Sequence, residues 1–234
     1  MRIHESVPRG RFAHSSAAGG PMRVVCFSTY VPNKAMQTPR HRDVRNFLLA
    51  LRGEKLHGSS PIPVGREERF LTRANADDSI DWFGEMVARY LASSSEKSPF
   101  ALVPVPTLRS TVESTGAPWT MLLAISIASH GVEADVVDAL RWKKPTAPPS
   151  LRPASCSELY ENLAVIRWLD PTVPVILVDY LFMSSATMRA CARRLSDHGG
   201  KVTMAVAAGR TADRADHDAF SVVVGELSEF LPGH

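Results

Sequence analysis

Residues 175–190, Val-Ile-Leu-Val-Asp-Tyr-Leu-Phe-Met-Ser-Ser-Ala-Thr-Met-Arg-Ala, constrain the fold more than any other stretch of the chain. The apolar run 175–178 suits a strand buried on both faces, as in a parallel sheet, and 188–195 resumes with apolar residues at helical spacing. The loop between them therefore sits at the carboxyl end of a strand, where open α/β sheets place ligands. Asp179 can accept hydrogen bonds from sugar hydroxyls there. Backbone N–H groups at the start of the helix, with the hydroxyls of Ser184, Ser185 and Thr187 and the small Ala186 between them, can cradle a phosphate.

This segment resembles the motif that binds 5-phosphoribosyl 1-pyrophosphate (PRPP) in type I phosphoribosyltransferases: a hydrophobic strand, two adjacent acids, two variable residues, then a hydroxyl-rich loop. Asp179 keeps the first acid, Ser184 a loop hydroxyl and Thr187 the last threonine. Tyr180 stands at the second acid, Met183 at the first Ser/Thr and Ser185 at the glycine. Upstream, Phe-Ala-Leu-Val-Pro-Val-Pro at 100–106, then Thr107, Leu108, Arg109 and Ser110, then the apolar stretch 119–129, is similar to the first strand, pyrophosphate loop and first helix of the ComF-type branch. Arg141, Lys143, Lys144 and Arg152 lie in a proline-containing interval comparable to that branch's basic flexible loop. Residues 201–211 form a further strand ending in Gly-Arg-Thr. The resemblance spans about residues 98–212, in order, and leaves the first ninety-odd residues uncovered.

The resemblance implies an α/β fold with a parallel-sheet, Rossmann-like phosphoribosyltransferase core over 98–234. It implies a 5-phosphoribosyl or nucleotide ligand, with Mg²⁺ entering through PRPP. Asp179 and Tyr180 would then stand at the reacting sugar, with 184–187 on the 5-phosphate and Arg109 and Ser110 on pyrophosphate. Arg141, Lys143, Lys144 and Arg152 would close as a mobile basic lid, or form an ordinary exposed loop. Such transfer depends on positioning and charge stabilisation, without a covalent enzyme nucleophile. A phenol cannot supply the anionic acceptor of a second acid, so Tyr180 favours reduced or altered catalysis. Two functions stay open: a weakened PRPP-using transferase, and a non-catalytic sensor of nucleotides that binds nucleic acid or a partner protein.

Charge divides the chain. Residues 1–58 carry ten Lys/Arg against three Asp/Glu, a net +7, while the remainder carries −4. The basic segment is expected to meet an anion, a nucleic acid or protein partner among them, or to be a solvated tail. Residues 1–21, rich in Gly, Ser, Ala and Arg, read as a disordered tail, and 22–97 as a basic N-terminal subdomain or hood. Val44, Phe47, Leu48 and Leu51 fall on one helical face there, with Gly53 as the stop. No apolar run reaches the length of a membrane span. A cytoplasmic address is expected, and a homodimer is compatible with it. Cys26, Cys156 and Cys191 have neither zinc nor disulfide-scaffold spacing and read as packing residues.

Overall fold

The computed structural model describes residues 22–96, 98–147, 154–183, 185–215 and 218–227. The chain runs through β1 (Arg23–Cys26), β2 (Thr29–Tyr30), α1 (Pro39–Leu51), a hairpin β3 (Ser60–Val64) and β4 (Glu67–Leu71), then α2 (Asp78–Ser93). It continues through β5 (Phe100–Pro104), α3 (Thr120–Ser129), β6 (Ala134–Val136), β7 (Leu140–Trp142), α4 (Cys156–Asn162) and β8 (Leu163–Val165). The last elements are β9 (Pro174–Phe182), α5 (Ser185–Ser196), β10 (Lys201–Thr211) and β11 (Val223–Glu226).

Among the described residues, seven strands form the central sheet in the order β11-β1-β10-β9-β5-β6, with β2 also on β10. Every pairing in it is parallel except β1 with β11. The protein is thus mixed α/β with a mostly parallel, Rossmann-like sheet. Side chains alternate between two cores, as the pleat requires. Val25, Leu102, Ile176, Val178 and Val206 face α1, α2 and α3. Val24, Cys26, Val103, Val175, Leu177 and Ala205 face α4 and α5. This two-sided burial explains the unbroken apolar runs of β5 and β9.

The connections set the position of the ligand crevice. After β5 the chain turns to α3 on one face and returns to β6. After β9 it turns to α5 on the other face and returns to β10. Adjacent parallel strands whose continuations leave on opposite faces open a crevice at their carboxyl ends.

The N-terminal part is built into the sheet. β1 lies between β10 and β11, with Val24 opposite Ala205 and Gly225, so the N-terminal part contributes a strand to the same sheet as β5, β9 and β10. The tail expected over residues 1–21 lies outside the described residues. The proline-containing segment Ser60–Val64 is strand β3. It tolerates Pro61 and Pro63 because Ser60, Ile62 and Val64 alternate inward while the prolines face outward in a two-stranded hairpin. α1 ends before Gly53, whose φ of +69° a side chain would strain.

α2 and α3 touch at Gly84. A Cβ there would lie 2.1 Å from Ser126 Oγ and 2.7 Å from the Ser126 carbonyl carbon, while Ser126 Oγ donates to the Ile80 carbonyl at 2.9 Å. Gly84→Ala is expected to force the helices apart and cost about 2 kcal/mol or more, measured as a lowered denaturant midpoint at unchanged m-value.

Candidate functional site

A cavity of about 910 Å³ opens at the carboxyl ends of β5 and β9, within the size range of small-molecule sites. The loop after β5, the β9–α5 junction and one face of α1 with Tyr30 supply much of its lining, joined by the start of α3, Trp142, Thr146 and Ala147, and Ala154 and Leu159.

The loop after β5 is held from several sides. Val105 N–H donates to the Val178 carbonyl at 2.9 Å, and the buried Thr120 hydroxyl donates to the Val105 carbonyl at 2.8 Å. Trp142, almost fully buried, donates its indole N–H to the Pro106 carbonyl at 3.2 Å and its backbone N–H to the Ser110 carbonyl at 2.9 Å. Ser110 is buried, and its hydroxyl is 2.5 Å from that of Thr107. Thr107 and Arg109 line the cavity, and Ser110 supports them from behind. Arg109 is exposed and forms no ion pair with any described residue.

At the end of β9 the Asp179 carboxylate Oδ1 accepts the Tyr180 backbone N–H at 2.7 Å. The residue as a whole is half-buried, but its carboxyl group sits deep. Burial pushes the Asp179 pKa up to about 7, against the opposing pull of the Tyr180 and Leu181 N–H groups. Tyr180, where the resemblance calls for a second acid, packs its ring 5.2 Å from Trp119 and lies 5.4 Å from the Arg52 guanidinium. Burial raises its phenol pKa as well, so it stays neutral. Beyond it, Ala186 and Thr187 in the first turn of α5 line the cavity, where helical N–H groups lack intrahelical partners. Ser185 is buried, and Ser184 lies outside the described residues. The Thr211 hydroxyl donates to the Met183 carbonyl at 3.2 Å, tying the junction to β10.

The sequence reading of 22–97 as a subdomain or hood did not single out the α1 residues that roof the cavity. Arg45, Leu48, Leu49 and Arg52 of α1 and its C-cap line the cavity. Their spacing of i, i+3, i+4 and i+7 puts them on one helical face, a signal present in the sequence but masked because Leu48 reads as core. Arg45 has no ion-pair partner among the described residues, while Arg52 pairs with Glu54 at 2.8 Å. Among the described residues, three arginines and a single acid, Asp179, thus line the site.

Of the residues expected in a basic lid, those described stand away from the cavity lining. Arg141 belongs to β7, is buried, and forms an ion pair with Asp138 while donating to the Gly116 carbonyl at 2.9 Å. It anchors the loop that precedes α3 and is no part of a mobile lid. Lys143 Nζ donates to the Glu161 carbonyl at 2.6 Å, and the Lys144 N–H donates to Asn162 Oδ1 at 3.0 Å. Neither lines the cavity; Thr146 and Ala147 do. Arg152 lies outside the described residues. Cys26 and Cys191 are buried with their thiol pKa values pushed up by burial, as packing residues are.

Fold and site together define a Rossmann-like α/β protein with an arginine-lined crevice at the carboxyl edge of its sheet. No family model and no curated protein matches the chain. Among solved structures it is similar to the crystal structure of the protein TT1426 from Thermus thermophilus, at 18% identity and a TM-score of 0.32, over 65% of this chain and 88% of that one. That likeness is too slight to inform fold or function. No described helix is long and apolar enough to cross a membrane.

A carboxyl group with a folded-state pKa near 7 and an ordinary value of 3.8 carries a defined pH signature. Its favourable protonated state contributes stability fully below about pH 4, and that contribution is lost as pH rises through about 7. Asp179→Asn removes the loss. The variant should melt close to wild type at about pH 4.5 and roughly 5 °C or more above it at about pH 8; an equal difference at both values would show that Asp179 is not buried as described.

Proposed function

We propose that the protein is a ComF-like phosphoribosyltransferase homologue that binds PRPP or a related 5-phosphoribosyl ligand in this cavity, with α1 as its hood. The observation that carries the reading is that the two motifs, about 70 residues apart in sequence, meet in one crevice: Thr107 and Arg109 on one wall, Asp179 and Thr187 on the other. Asp179, once ionised, accepts the ribose hydroxyls. Thr187 and the first-turn N–H groups of α5 take the 5-phosphate. Arg109, with Thr107 beside it, takes the pyrophosphoryl group.

Transfer to a nitrogen nucleophile would require charge development at the anomeric carbon to be stabilised by groups fixed in advance. Asp179 is the one acid among the described cavity residues to do so. The donor set does not fit a divalent ion. Magnesium sites use one or two carboxylates plus ligand phosphates; here the single carboxyl among the described lining residues, Asp179, holds its proton up to about pH 7, and the second acid position holds a neutral phenol packed against Trp119. No step is therefore routed through Mg²⁺.

The same Tyr180 geometry favours a second reading, in which the site binds without turnover and serves as a sensor. A ring held between Trp119 and Arg52 presents a neutral phenol where an anionic acceptor for the ribose hydroxyls would otherwise stand.

Thr187→Val should weaken binding of a 5-phosphoribosyl ligand by roughly tenfold or more, as expected for loss of a hydrogen bond to a charged group. Isothermal titration with PRPP measures this, and unchanged affinity would contradict the phosphate assignment. Pyrophosphate release, followed in the same samples across nucleobases, separates transferase from sensor.

A further inference from the structure

Resting on the 5-phosphoribosyl reading, we infer that the cavity takes its ligand as the metal-free anion, with Arg45, Arg52 and Arg109 supplying the countercharge that a bound divalent cation would otherwise provide. Phosphorylated sugars carry several negative charges, and a closed site must neutralise them. Two solutions exist: a hard cation held by carboxylates, or guanidinium groups that pair directly with phosphate oxygens.

The cavity is built for the second. It is lined by three arginines and one acid among the described residues. Arg45 and Arg109 have no ion-pair partner among those residues, so both guanidinium groups are free for a ligand. They come from opposite sides, Arg45 from the roof and Arg109 from the loop after β5. Arg52 is held by Glu54 and lies over the Tyr180 ring, a fixed positive charge beside the sugar end of the site. A dication entering here would meet three like charges and one buried carboxyl. The second acid position holds the Tyr180 phenol, with Trp119 packed on its ring at 5.2 Å, so no carboxylate is offered to a metal ion there.

Calorimetric titration with PRPP and with ribose 5-phosphate, each in excess EDTA and again in millimolar Mg²⁺, tests this on the full chain. Affinity in EDTA is expected to equal that in Mg²⁺ to within about threefold, or to exceed it, because Mg²⁺ bound to free PRPP masks the charge the arginines recognise. Arg45→Gln and Arg109→Gln should each weaken binding in EDTA by roughly tenfold, with circular dichroism confirming the fold. Tyr180→Asp, which returns the second acid, should acquire a gain in PRPP affinity on adding Mg²⁺ that the wild type lacks. Binding of PRPP by the wild type only when Mg²⁺ is present would overturn the inference and leave the 5-phosphoribosyl reading intact. Absence of binding by either ligand in both conditions would overturn the two together.

Discussion

The parallel pairing of β9 with β5 on one side and β10 on the other is the constraint from which the rest of the structure follows. It buries β9 on both faces, so the strand must be apolar until it reaches the rim, where Asp179 is the first residue free to be polar. Because α3 leaves β5 on one face and α5 leaves β9 on the opposite face, the rim cannot close over itself. The gap is then roofed by α1, brought there by β1 and β2 on β10. Site and core are thus one construction: the same hydrogen-bond ladder that closes the core fixes the spacing between the Thr107–Arg109 loop and the Asp179–Thr187 junction.

Charge within the crevice follows from that burial. Asp179 loses solvation at the strand end and holds its proton up to about pH 7, although two backbone N–H groups favour the carboxylate. Tyr180, turned toward the α1–α3 side, joins the apolar packing of that core. The arginines come from α1, its C-cap and the loop after β5, outside the two apolar cores. The result is a site whose net charge invites anions and whose floor is an aromatic and aliphatic surface.

Much of this was legible in the chain. The apolar run before Asp179 is a strand where its pattern put it, because two-sided burial leaves an unambiguous signal, and the Val-Pro-Val-Pro segment is a strand followed by the Arg109 loop, as the resemblance implied. The roles of the basic residues were not legible. Arg141 and Lys143 sit beside prolines and read as solvated lid, yet Leu140–Trp142 is a strand pairing with Leu163–Val165, and the Arg141 charge is consumed by Asp138 three residues away. Arg45 and Arg52 counted only as part of an N-terminal excess. Their function depends on which face of α1 turns to the sheet edge, and that is set by long-range packing of Val44, Phe47 and Leu51. Local sequence carries propensity and period; it does not say which distant element will stand opposite.

The central claim is that α1, the loop after β5 and the β9–α5 junction form one ligand site. Hydrogen–deuterium exchange with mass spectrometry, in the presence and absence of saturating PRPP, tests it most directly. The ligand is predicted to slow exchange together in peptides covering residues 45–52, 105–111 and 179–188. Protection confined to other segments, or none at a ligand concentration that saturates calorimetric binding, would contradict it.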